Sequence, residues 1–260
     1  MKEIFTYTFL SIAEWRKFFI LVLLVSILTL LEAFPVISIA AFLFEKLIYL
    51  SVGVFLIYIL RHSSTPEIFY ENLEKNKIST FLFHFIPSAS GILLALILIF
   101  SFWLFFLILI LEFSASMYIL ANPHNFLNAL ASANMLAKIL IGFYLVYLLF
   151  YSYIFLGKFG EALSKENFKD AFLSMIMSLF DFKFWVKTFN LKYFLIYIVW
   201  SIIITLVYSI ISFVYIVDIF PKLIINPDLT LLIIPIFVAI STILSYFTFF
   251  SAYFAKAAID

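Results

Sequence analysis

Ile92-Leu93-Leu94-Ala95-Leu96-Ile97-Leu98-Ile99-Phe100-Ser101-Phe102-Trp103-Leu104-Phe105-Phe106-Leu107-Ile108-Leu109-Ile110-Leu111 is a run of 20 residues with one serine and no charge. As an α-helix rising 1.5 Å per residue it reaches about 30 Å, the thickness of a bilayer's hydrocarbon core. Backbone amides and carbonyls at that depth find no water, so the segment satisfies them within itself as a helix. Comparable apolar stretches occupy residues 18–34, 139–156, 193–217 and 231–251. A further run, 47–60, has only 14 residues, about 21 Å of helix. A complete span there starts near Ala41 and takes in Glu45 and Lys46, at a depth from which a lysine can snorkel to the headgroups.

The whole chain agrees with that local reading. Of its 260 residues 66% are hydrophobic and 12% charged, against about 45–50% and about 25% in a soluble domain, which excludes a water-soluble globular protein. The 36 phenylalanines are the kind of bias an AT-rich genome also produces. Without cysteine there is no disulfide framework, thiol nucleophile or thiolate metal site. A net charge of +1 offers nothing to a nucleic acid. The expected fold is therefore an all-α bundle of six transmembrane helices, residues 1–260 forming a single integral membrane domain.

Basic residues are retained on the cytoplasmic side of short loops. Thirteen of the 16 Lys and Arg fall on one face: Lys2, Arg16 and Lys17; Arg61, Lys75 and Lys77; Lys158, Lys165, Lys169, Lys183, Lys187 and Lys192; and Lys256. Lys46, Lys138 and Lys222 fall on the other. This count places both termini in the cytoplasm of a multi-pass protein of the cell membrane. Residues 18–34 are preceded by a long patterned lead-in and followed by no A-x-A cleavage signature, so they read as a retained span rather than a signal peptide.

A short pattern recurs before each pair of spans. Lys2-Glu3-Ile4-Phe5 with Phe9-Leu10-Ser11 matches Lys165-Glu166-Asn167-Phe168 with Phe172-Leu173-Ser174, and Glu67-Ile68-Phe69 with Leu73 forms a third copy. Leu31-Glu32-Ala33-Phe34-Pro35 likewise matches Val217-Asp218-Ile219-Phe220-Pro221. These repeats divide the chain into three tandem hairpins, near 1–64, 65–163 and 164–260, each a cytoplasmic amphipathic helix followed by two spans. Thr65 and Ser164 suit N-caps, Pro66 the first turn, and Glu67 and Glu166 the positive end of the helix dipole. Phe5 and Phe9, Phe69 and Leu73, and Phe168 and Phe172 are each spaced i, i+4, on one helix face, as in helices that lie in the headgroup layer. Such helices either anchor the protein or dock a soluble partner.

Trp15-Arg16-Lys17 before the first span, Gly160-Glu161-Ala162 with Phe168-Lys169-Asp170-Ala171-Phe172 after the fourth, and the closing Ser251-Ala252-Tyr253-Phe254-Ala255-Lys256 carry a resemblance. The chain resembles an uncharacterised family of prokaryotic six-span integral membrane proteins, a domain of unknown function. The resemblance implies the six-span architecture and brings no chemistry.

Few residues point to chemistry. His62, His84 and His124 stand apart, with no H-E-x-x-H, phosphate loop or G-x-S-x-G elbow anywhere. No metal, cofactor or catalytic constellation is expected, and any ATP would act through another chain. Glu32, Glu112 and Asp218 each end a span running outward, where the helix dipole disfavours negative charge, and form a candidate outer-face polar or cation site. Ser201, Thr205, Ser209 and Ser212 make one intramembrane polar stripe and Ser241, Ser245 and Thr248 another, for helix packing or for lining a path. Ala129, Ala133 and Ala137 have small-xxx-small spacing. With only Glu45 and Lys46 charged inside a span, proton- or sodium-coupled carriers and voltage sensors are disfavoured.

The leading functional expectation is a non-enzymatic, transport-related or membrane-scaffolding component. It would act in the lipid bilayer with partners, either other membrane subunits or a soluble ATPase, and not with nucleic acid. One alternative is the membrane (permease) subunit of an ATP-driven exporter. Another is a lipid-modifying membrane enzyme using Glu32, Glu112 or Asp218 as acid or base.

Overall fold

A computed structural model describes residues 1–113, 135–214 and 229–260, without the side chains of 111–113, 136–137 and 229–232. Among the described residues every regular element is helical. The chain opens with α1 (Lys2–Ala13), α2 (Trp15–Leu31) and α3 (Ser38–Arg61). It continues through α4 (Pro66–Lys75), α5 (Ile78–Phe83) and α6 (Ile86–Phe113). The rest comprises α7 (Met135–Leu163), α8 (Phe168–Ile176), α9 (Phe182–Lys187), α10 (Leu191–Val214) and α11 (Leu229–Ala257).

Five stretches are long and apolar enough to cross a membrane: Ser38–Arg61, Ile78–Ile110, Lys138–Leu163, Leu191–Val214 and Ile233–Ala257. The first of them does begin before Glu45. Its neighbour α2 has 17 residues, about 26 Å.

The long helices pair antiparallel. Ser88 near the start of α6 donates to Lys165 O just beyond α7 (2.7 Å), while farther along the Trp103 and Tyr147 rings meet at 4.6 Å. Asn190 donates to Ala258 O at one end of the α10–α11 pair (3.3 Å), and Trp200 Nε1 donates to Thr248 Oγ1 one-third of the way along (3.1 Å). α11 is the hub, packing on α7, α1, α10, α2 and α3. Two glycines allow the closest approaches. A Cβ on Gly160 would stand 2.0 Å from Ala252 O of α11, and one on Gly91 would stand 2.4 Å from Phe168 O of α8.

The short helices gather at the end that holds both termini. Tyr7 of α1, Phe69 of α4 and Phe250 of α11 form a ring triangle with centroids 5.0–6.0 Å apart. Thr65 caps α4 as expected, accepting from Ile68 N–H, with Pro66 in the first turn. The copy of the repeat at residues 165–174 is offset from the expected register. α7 runs on to Leu163, the Ser164 hydroxyl donates back to Gly160 O (2.8 Å), and Asn167 is the N-cap of α8, accepting from Asp170 N–H (2.8 Å). Glu166 therefore precedes the helix and faces Arg61 (3.8 Å). Arg61 also donates to Ser164 O (2.7 Å), tying α3 to this turn.

The three i, i+4 apolar pairs also have different surroundings. Phe69 and Leu73 are buried in protein, whereas α1 buries Ile4, Tyr7, Thr8 and Ser11 and leaves Phe5 and Phe9 exposed. In α8 the Phe168 and Phe172 rings stack on each other (6.0 Å) while Ala171 and Met175 face the core. An amphipathic helix packed on a membrane bundle has two apolar environments available, protein and lipid, and periodicity does not distinguish them.

Candidate functional site

Toward the end of the bundle opposite the termini, α2, α3, α6, α10 and α11 line a partly open cavity of about 510 Å³. Helical spacing builds its polar wall. Val25, Thr29 and Glu32 follow one another at i, i+4, i+7 along α2 and its C-cap, and Glu45 and Tyr49 at i, i+4 along α3. Val238, Ser241, Ser245 and Phe249 lie along one face of α11. Lys46, Leu50, Leu93, Leu96, Tyr208 and Phe237 complete the lining.

Glu45 is only 7% exposed. Its Oε1 accepts from Lys46 Nζ, and Thr29 Oγ1 lies 3.4 Å from its Oε2. Lys46 reaches outward over the Phe42 ring, 4.9 Å from the centroid, which is the snorkelling geometry expected of a lysine one turn inside a boundary. The Glu32 and Glu45 carboxyls are neighbours, and Glu32 Oε1 is buried with no partner. Below them Thr242 donates to Val238 O (2.7 Å), which leaves its oxygen to accept from Tyr49 (2.9 Å). Two acids, one cation and several hydroxyls thus converge on one partly open, otherwise apolar pocket.

Of the expected outer acids, Glu32 lies in this cavity; the Glu112 side chain and Asp218 lie outside the described residues. Ser241 and Ser245 line the cavity, with Ser245 donating to Ser241 O (2.8 Å). Thr248 instead accepts from Trp200. On α10, Thr205, Ser209 and Ser212 are exposed and Ser201 half-buried, none of them in the wall. Ala129, Ala133, His124, Lys222 and the Ala137 side chain also lie outside the described residues. Sequence reading missed Thr29, Tyr49 and Thr242 as parts of a site. The signal was present in the i, i+4 spacing of Glu45 and Tyr49, but a lone pair on an apolar helix acquires meaning only once α2 and α11 face it.

Two buried cations also depart from expectation. Lys158 belongs to α7 rather than to a loop and is 3% exposed. It donates to Glu161 (2.8 Å) and Asp181 (2.7 Å) and lies 4.2 Å from the centre of the Phe184 ring. Asp181 in turn caps α9, accepting from Phe184 N–H (3.0 Å). Burial works to raise the Asp181 pKa, but the hydrogen bonds from Lys158 and Phe184 and the charges of Lys158 and Lys183 outweigh it and hold the carboxyl below its ordinary value. Lys17, buried at the start of α2, bonds Glu14 (3.0 Å) and Glu74 O (3.2 Å). Charged groups inside the apolar helices are therefore not confined to Glu45 and Lys46, because each buried cation brings its own acid.

The architecture is that of a multi-pass membrane protein, helical in every regular element among the described residues. Comparison with protein-family models, characterised proteins and solved structures gives no match.

Proposed function

We propose that the chain is a non-enzymatic, transport-related component of the cell membrane, with six spans and both termini in the cytoplasm, and that the acid-lined cavity holds a small cation or protonated amine. The sixth span in this reading is α2. Phe19, Leu23 and Ile27 lie exposed along it at i, i+4, i+8, an apolar stripe suited to lipid rather than water. The three-hairpin organisation follows, each pair of spans preceded by a terminal-side helix, with partners acting from that side.

The observation that carries the reading is the orphaned Glu32 Oε1 beside Glu45 within the cavity. A buried carboxyl oxygen without a donor costs about 1–3 kcal/mol or more. Adjacent carboxyls repel when both are charged, and one ammonium, Lys46, serves the pair. A second cation between them offsets both terms, and the hydroxyls of Tyr49, Ser241 and Ser245 provide polar contacts for its remaining surface. Five helices contribute to the cavity, so occupancy is coupled to how they pack.

The full-length protein in mild detergent is expected to melt at higher temperature in sodium or ethylammonium chloride than in the bulky N-methylglucamine chloride at equal ionic strength. A ligand at roughly ten times its dissociation constant contributes about 1.4 kcal/mol, or a shift of about 3–5 °C. Glu45→Gln keeps the side-chain shape and is expected to abolish the shift, and Glu32→Gln to reduce it. A wild-type protein indifferent to every cation, or an undiminished shift in Glu45→Gln, overturns the reading.

A further inference from the structure

A second polar cavity, about 440 Å³, opens at the opposite end, where α2 and α5 begin. Arg16, Lys17 and Lys77 line it together with Glu14 and Glu74. Lys17 is already committed to Glu14 and Glu74 O. Among the described residues Arg16 and Lys77 make no ion pair, and neither does the Glu74 carboxylate. The lining therefore holds one surplus positive charge, with two uncommitted cations and one uncommitted acid around the same space. Tyr70 and Asn76 add a hydroxyl and an amide.

The mouth of the cavity is apolar. Trp15 is 64% exposed and carries the Arg16 guanidinium 5.6 Å from its ring centre, while Ile78 is 40% exposed. Phe19 continues the exposed surface one turn farther along α2. Tryptophan at the start of an apolar helix marks the headgroup level of a bilayer, so the polar chamber lies at phosphate depth and the apolar residues run down from it along the acyl chains.

We propose that this cavity is a phospholipid headgroup site in the leaflet on the side of the termini. Arg16 and Lys77 take the phosphate, and Glu74 takes a headgroup ammonium. The ligand class is a phosphodiester lipid carrying a primary amine, such as phosphatidylethanolamine. Free phosphate shares the anionic chemistry but has no use for Trp15, Ile78 or Glu74.

The test is native mass spectrometry of the full-length, delipidated protein with added palmitoyl-oleoyl phosphatidylethanolamine, the matching phosphatidylglycerol, or inorganic phosphate. The wild type is expected to retain phosphatidylethanolamine in the presence of millimolar phosphate. Losing two charge-assisted contacts in Arg16→Ala/Lys77→Ala weakens that binding by about tenfold or more. Glu74→Gln is expected to weaken phosphatidylethanolamine but not phosphatidylglycerol. All three side chains are exposed, so the variants should melt with the wild type, which separates loss of a ligand from loss of the fold. Undiminished lipid binding in the double variant overturns the site. Displacement of the lipid by phosphate overturns the lipid as its source, and an equal effect of Glu74→Gln on both lipids overturns the ammonium contact.

Discussion

Gly160→Ala is expected to lower the melting temperature of the detergent-purified protein by about 5–10 °C, while Gly142→Ala on the same helix leaves it unchanged or slightly raised. A Cβ at position 160 would stand 2.0 Å from Ala252 O and 2.9 Å from Tyr253 N, both backbone atoms of α11. Backbone cannot swing aside as a flexible side chain does, so α7 and α11 must separate along their crossing. Overpacking of this kind costs about 1–3 kcal/mol. A Cβ on Gly142 meets nothing within 4 Å, and alanine is the better helix former by about 1 kcal/mol. Thermal unfolding followed by tryptophan fluorescence distinguishes them. Equal behaviour of the two variants would contradict the close crossing.

Asp181→Ala has the second large effect, a loss of about 3 kcal/mol, because it removes one of two carboxylates from a buried lysine and uncaps α9. The double variant Lys158→Met/Asp181→Ala is expected to regain most of that loss. Methionine follows the path of the lysine stem and leaves no buried cation, and Glu161, the acid left without its lysine, is partly exposed. If the double variant is no more stable than Asp181→Ala alone, the buried charge is not what makes the single change costly. The cluster also fixes a direction for pH. The Asp181 carboxyl is held below its ordinary value of 3.8, so its contribution is fully present above that pH and disappears as the pH falls through the lower, folded value. Asp181→Asn is expected to flatten the melting temperature against pH in that acidic window while leaving its slope near neutrality unchanged.

The apolar spans were readable because the requirement behind them is local. A peptide group in oil must bond within its own helix, so twenty apolar residues declare their conformation without reference to the rest of the chain. The Thr65 cap and Pro66 start of α4 were equally legible, since a cap involves residues three apart. The cap of α8 was expected at Ser164 and falls at Asn167 for a different reason: the end of α7 claims the Ser164 hydroxyl. Glu32 was visible as an acid at the wrong end of a helix dipole, and Ser241 and Ser245 as a stripe, but nothing in their spacing brought them to one cavity. The α10 stripe has the same periodicity and stays outside that wall.

Sequence by itself determined that the chain is rich in helices long and apolar enough to cross a membrane; hydrophobic transfer acts on each segment separately. Only the tertiary structure decided that Glu45 meets Glu32, that Lys158 is enclosed by Glu161 and Asp181, and that Phe69 faces protein while Phe9 does not. Those outcomes depend on which helix faces which. In an apolar medium, where lipid and protein interior compete equally for a hydrophobic side chain, that choice is made by shape and by the few buried charges.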